Sequence, residues 1–371
     1  MLILNKECTP LLIPYRVGNL WGFCNKNLEI IIPLEYEFVL PFVNELAQVF
    51  KNGKRFIVNK SGIKVFAHIY DYNNDEYSKC EFSDCHFGLI RFWDEEKYGF
   101  INTSGEIIFD LVFSYPFNNY QSGTTIISIN GKRTLLDLEN KIILETENNF
   151  LPNFKEDVGI SIIDDAIFVV DRNNKKTCIL KLENTEDNCD EYIGCTDFND
   201  GYSLLEIKNN HHSSSGFYFI DKEGNMPIRG YKRVSPFYEG LAVVGEEVSH
   251  EVEIKYDGII GIEHHTTYYK WGFMNKDFKP IYWSKELILE DYCGNINDLE
   301  PYFNGRSSLG VFSEGLAKFK SNNKWGFLNR TFTTEIEAKY ENVKDFKNGL
   351  AFVYSSNGNG YIDKLGNQFW K

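Results

Sequence analysis

Almost nothing in this sequence repeats at the i, i+3, i+4, i+7 apolar spacing of an amphipathic helix. Only "SKELILEDY" (284–292) reads as a short helix. A helical framework is therefore not expected. No apolar run approaches the roughly 20 residues needed to span a membrane. The opening "MLILNKECTPLLIPYR" has no uninterrupted apolar stretch of the secretory type, so no signal peptide is expected. There are eight cysteines but no CxxC pair, which points to reduced thiols in a cytoplasm. Basic excess is also missing. The formal net charge of −14 argues against a nucleic-acid partner. No Gly-rich phosphate loop, GxSxG elbow, HExxH or coherent Ser/His/Asp order is present. The expectation is a protein that is not an enzyme, with no catalytic residue, cofactor or metal and no membrane partner.

What the chain does hold is strand-forming residues and a repeat. Aromatics reach 16%, and with the β-branched residues they favour sheet over helix. "LWGFCNKNL" (20–28), "KWGFMNKDF" (270–278) and "KWGFLNRTF" (324–332) share one pattern. Its Asn or Asp recurs as Asn25, Asn59, Asn102, Asp137, Asp171, Asp221, Asn275, Asn329 and Asp363, at spacings of 34, 43, 35, 34, 50, 54, 54 and 34. A unit of about 34 residues with insertions follows. Each unit reads as three strands. Strand a is of the "GLAVV" type, strand b ends at the Asn or Asp, and strand c is an apolar run such as "EIIIP" (29–33). Between b and c, the Asn or Asp opens a type I turn by bonding the backbone two residues on, and a left-handed residue closes it. Tyr36/Phe42, Tyr192/Phe198, Tyr231/Phe237 and Tyr340/Phe346 mark a connector after strand c that is either a fourth strand or a packed turn.

The pairs Trp21-Gly22, Trp271-Gly272 and Trp325-Gly326 are read as packing between units, with Gly admitting the close approach and Trp covering it. These residues resemble the WG (KWG) repeat family. The match is carried by "YKRVSPFYEGLAVV", "KWGFMNK" and "YENVKDFKNGLAFV", specific in units one, six, seven, eight and nine and weak in two, four and five. The resemblance implies an all-β repeat protein, mostly bacterial, that binds other molecules, and it brings no catalytic residue. The expected fold is a single all-β domain over 1–371, with units at about 11–45, 46–86, 87–123, 124–157, 158–201, 202–239, 240–315, 316–349 and 350–371. Each unit holds three to four antiparallel strands in a β-propeller-like arrangement, with "MLILNK" completing the last blade. An open superhelical β array is the alternative, because nine units exceed the usual propeller count.

The insertions carry the functional expectation. In an antiparallel meander, the a-to-b turn and the exit from c lie at the same end. Insertions 67–86, 183–198, 245–269 and 284–310 should therefore share a face. They hold 22 acidic residues and only 4 basic ones (Lys79, Lys255, Lys285, Arg306), which leaves the rest of the chain slightly positive. Asp71, Asp75, Glu76, Glu186, Asp187, Asp190, Glu246, Glu247 and Glu251 are the candidate binding acids. Asp257-Gly258 signals a two-residue hairpin turn in the third insertion, which would set His250 opposite His265 and Glu251 opposite His264. Imidazole pairs suit zinc, copper or nickel, but two ligands do not make a site. The expected activity is a cytoplasmic, non-catalytic scaffold or binding module for a protein or peptide of basic character. A carbohydrate-active hydrolase using two of these carboxylates, or a purely structural assembly part, is the alternative.

Overall fold

The computed structural model describes residues 11–43, 45–68, 89–93, 98–102, 106–113, 124–129, 132–137, 142–146, 154–163, 166–173, 175–181, 184–185, 188–209, 215–227, 229–231, 233–257, 260–291 and 307–371. Among them there is no helix. Nine small antiparallel sheets form instead, mostly of three or four strands in sequential order. Each holds one strand b: Leu20–Cys24, Lys54–Asn59, Tyr98–Asn102, Lys132–Asp137, Ala166–Asp171, Ser215–Asp221, Ile260–Asn275, Lys324–Asn329 and Gly360–Asp363. Every recurrent Asn or Asp thus ends or directly follows a strand b. The Tyr-x5-Phe connector is a short fourth strand d in several units. Phe38–Val39 pairs with the next strand a, and Val234 bridges Val244.

The b-to-c turn follows from the Asn or Asp side chain. Asn25 Oδ1 accepts from Asn27 N (2.9 Å) and Glu29 N (3.0 Å), and Asp363 Oδ1 does the same for Leu365 N (3.0 Å) and Asn367 N (2.9 Å). One carboxyl or amide oxygen therefore holds two backbone donors that the turn would otherwise leave without partners. The residue three after the Asn or Asp is left-handed. It is glycine at Gly62, Gly224 and Gly366, but Leu28, Phe278 and Phe332 elsewhere. A left-handed phenylalanine costs roughly 1–2 kcal/mol. Packing offsets that cost. The Phe278 ring meets Tyr202, Phe219 and Phe237 of the sixth unit, and the Phe332 ring stacks on Tyr282 (4.8 Å) and Phe273 (5.6 Å) of the seventh. Each of these turns plugs the core of the preceding sheet.

The Trp-Gly pair has a sharper explanation than packing between units. Trp21 pairs with Tyr36 and Phe23 with Ile32, so strand c carries two extra residues opposite Gly22. Trp325/Tyr340 and Phe327/Ile336 repeat that register. The bulged backbone crosses directly under the glycine. A Cβ on Gly22 would lie 2.5 Å from the carbonyl oxygens of Ile32 and Pro33, and one on Gly326 would lie 2.7 Å from Ala338 N. The close approach therefore comes from strand c of the same sheet, which corrects the expectation for glycine. The tryptophan does bridge sheets. Trp21 is 5% exposed against Phe38, Phe352 and Tyr361.

The chain divides into two compact units, 1–164 with 168–177 and 346–371, and 165–167 with 178–345. In the first, residues of the first, second and ninth sheets form one core that includes Ile13, Trp21, Phe23, Val49, Leu350, Tyr361 and Phe369. The C-terminal segment completes it. Gln368 bridges Ile362, Trp370 runs parallel beside Arg16, and Lys371 N donates to Arg16 O at 2.9 Å. The expected role of "MLILNK" in that place lies outside the described residues.

In the second unit, Leu204, Phe219, Phe237 and Met274 form one core, and Trp271, Phe273, Phe312 and Leu328 form another. Two-residue turns lead from strand d into strand a. Asp200-Gly201, Glu239-Gly240 and Glu314-Gly315 are left-handed at both positions, as a type I′ hairpin requires. Their acidic residues link successive turns. Asp200 Oδ2 accepts from Gly240 N at 2.6 Å, and Glu239 Oε2 accepts from Gly315 N at 3.0 Å.

Two expectations of local structure change. Residues 284–291 are not helical but belong to strand c of the seventh sheet, Pro280–Asp291. Their helix propensity gives way to an open strand edge that they hydrogen-bond. Part of 183–198 is sheet rather than excursion. Asn184–Thr185 and Asn188–Cys195 extend the sixth sheet beside its long strand a, Tyr202–Asn209.

Candidate functional site

The seventh sheet departs from the others. Its strand a, Leu241–Asp257, has 17 residues and its strand b, Ile260–Asn275, has 16, where the eighth sheet uses 6 for each. The inner ends are core. Val243, Trp271 and Phe273 are buried, and Gly245 leaves room for the Trp271 ring. At the boundary Lys270 Nζ binds Glu246 Oε2 at 2.8 Å and lies 4.4 Å above the Trp283 ring. The site is sharply framed at this point: buried aromatics below, a cation held by a carboxylate and a π-face, and exposed Glu247 and Val248 immediately above. A bulge between Glu247 and Ser249 marks the transition, and pairing then continues to Asp257 opposite Ile260.

That pairing corrects the expected register. His250 faces Thr267 and Glu251 faces Thr266, while His265 faces Val252 and His264 faces Glu253. The connection therefore follows Asp257 instead of including it. A glycine serves equally well at the first position of a two-residue turn. No histidine pair faces directly across the ribbon, so the direct imidazole pairing on which the metal idea rested is gone. The expected coincidence of the a-to-b insertion with the exit from c does hold in this sheet. Strand c runs up beside strand b as far as Asp291 opposite Thr266. The sequence signal for this third strand was the lack of any Gly, Pro or Asn between Ile281 and Asp291.

Of the other candidate acids, Asp190 lies on the sixth sheet opposite Asn209. Asp71, Asp75, Glu76, Glu186 and Asp187 lie outside the described residues. Among the described residues, no three His, Cys, Asp or Glu side chains gather as a metal would need. Among the described side chains, shifted titrations occur in the cores and turns. Burial pushes the Cys24 thiol up to about 11. Burial, with Asp197 and Asp345 nearby, raises the Tyr238 hydroxyl. Both shifts have a packing cause.

The family described as WG containing repeat matches the chain at residues 21–54, 98–132, 219–246, 307–325 and 325–358. The third unit, 98–132, is included although its strand b reads "YGFIN". No curated protein matches the chain. Several solved structures are similar at low identity. "KlHsv2 with loop 6CD replaced by a Gly-Ser linker" is 10% identical with a TM-score of 0.35, covering 76% of this chain and 98% of that one. The extracellular domain of a one component system from B. thetaiotaomicron is 10% identical with a TM-score of 0.31, covering 96% and 53%. A quinonprotein alcohol dehydrogenase-like protein from Bacteroides thetaiotaomicron is 13% identical with a TM-score of 0.31, covering 99% and 95%. At these scores nothing of their functions carries over.

Proposed function

We propose that this chain, an all-β protein carrying WG-containing repeats, is a non-catalytic binding module or scaffold for a protein or peptide partner of basic character. Recognition would use the acidic, insertion-bearing ends of its sheets. One observation carries this reading. The seventh sheet continues well past its own core as a ribbon rich in Glu and Asp, where a purely structural repeat would turn at once. Loops and extensions on a rigid scaffold are the usual seat of recognition. A concentrated negative surface favours cationic partners and speeds their encounter. Cys24 and Cys178 are free thiols, which supports a reducing compartment.

The test replaces residues 248–268 by a two-residue Asn-Gly turn between the paired Glu247 and Tyr269, which keeps the register and leaves strands a and b close to the length of their neighbours, and compares affinity captures from lysate. The reading expects lost partners, with recovery by the intact chain falling as salt rises through the physiological range. Undiminished recovery by the shortened chain ends it.

A further inference from the structure

We infer that the outer edge of the ribbon's strand a is a docking edge for an extended segment in which basic and apolar residues alternate. The inference rests on the proposed acidic recognition surface and gives it a geometry. Strand a is an edge of its sheet. Among the described residues, the neighbouring segment covers that edge as far as Gly245, whose N–H donates to Arg233 O at 3.0 Å. From Glu246 to Asp257, among the described residues, strand a pairs with strand b alone. Residues 247–257 offer roughly 37 Å of strand. They contain no proline, and beyond the bulge at Glu247–Ser249 the pairing with strand b is regular.

Alternation specifies the partner. Beyond the bulge, one row of positions reads Glu251, Glu253, Lys255, Asp257 and the other reads His250, Val252, Ile254, Tyr256. A strand added alongside meets both rows as cross-strand neighbours. Lysine or arginine at every second position would face the acidic row, and β-branched or aromatic residues would face the other. A second copy of the same strand fits less well than a wholly basic one: antiparallel self-pairing around Val252 sets Glu251 against Glu253, and self-pairing around Glu253 sets Glu251 against Lys255 but leaves Glu253 facing itself. The charges thus discourage self-association while leaving the backbone edge open to a basic strand.

The experiment uses the full chain and four labelled synthetic peptides of about ten residues. One alternates lysine and valine. A second has the same composition in two blocks, a third replaces lysine by glutamate, and a fourth is the first with alternate amides N-methylated. Binding is read by fluorescence anisotropy, and hydrogen exchange reports amides 247–257. The inference expects the alternating peptide to bind about ten-fold or more tighter than its block and N-methylated forms, since several backbone hydrogen bonds are at stake. It also expects slowed exchange at 247–257, and loss of both effects in E251K/E253K. Equal binding of the alternating, block and N-methylated peptides overturns strand addition while leaving the acidic-surface reading standing. No binding of any lysine peptide overturns both. A concentration-dependent dimer that protects 247–257 assigns the edge to a second copy and overturns the basic partner.

Discussion

Replacing Gly326 by alanine adds one methyl group to the middle of a β-strand, where alanine ordinarily has the advantage. Alanine restricts the unfolded chain and should stabilise by about 0.4–1 kcal/mol where the native backbone accepts it. Here the new carbon would sit 2.7 Å from Ala338 N and 2.8 Å from Glu337 C, atoms of the bulged strand c rather than a flexible side chain. The carbonyl oxygen of Ile336 is closer still. Comfortable non-bonded separation is about 3.5 Å or more, so that backbone must retreat by roughly 0.8 Å or more. Retreat would pull Tyr340 away from Trp325 and Ile336 away from Phe327. Overpacking of this kind costs typically 1–3 kcal/mol, so the net expectation is about 1–2 kcal/mol of destabilisation. Urea denaturation of the full chain measures it as a lower midpoint. Gly194, in strand 188–195 of the sixth sheet, is the control. A Cβ there meets nothing within 4 Å, so G194A should be neutral or slightly stabilising. If G326A is as stable as the parent, the bulge is not why tryptophan is followed by glycine, and the explanation fails.

Other consequences can be checked with the same material. F332A should cost about 2 kcal/mol for a half-buried ring, and F332G should cost less than F332A because glycine relieves the left-handed backbone; the reverse order in urea melts contradicts the plug-and-strain account. E239A should destabilise by about 1 kcal/mol and speed exchange of the Gly315 amide, while E239Q, which keeps an acceptor oxygen, should change little. Mass spectrometry after a brief maleimide pulse should find Cys178 modified and Cys24 protected, because Cys178 is exposed and burial keeps the Cys24 thiol protonated. The raised Cys24 pKa also has a sign. The folded state holds that proton more tightly than the unfolded state, so its contribution is complete below about pH 9 and lost as pH rises toward about 11. C24A should flatten that alkaline decline; an unchanged profile assigns it elsewhere.

The repeat was legible because its anchor does local chemistry. An Asn or Asp that holds amides two and four residues on needs no distant partner, so it appears at regular intervals whatever surrounds it. Strand b was legible for the same reason, and glycine in it correctly announced a close approach. The identity of the approaching group was not readable, because a two-residue bulge in strand c has no signature of its own in "IIIPLEY" or "TEIEAKY". The acidic turns were also missed. Glutamate is an unusual residue at positive φ, and only the next turn's amide, 76 residues away at Gly315, explains Glu239. "SKELILEDY" misled because its intrinsic preference is helical, whereas the edge of strand b decides its state. The ribbon's existence was readable and its register was not, since Asp-Gly and Gly-X turns compete for the same glycine.

The pairing of Trp370 with Arg16 has a consequence for synthesis. The segment that lies along strand a of the first sheet is made 354 positions after it. At about 5–20 residues per second, that strand waits roughly 20–70 s with its backbone amides and carbonyls uncovered. A nascent polypeptide in this condition invites the wrong neighbour, so a sheet that waits this long for its last strand is the one most in need of a chaperone's shelter.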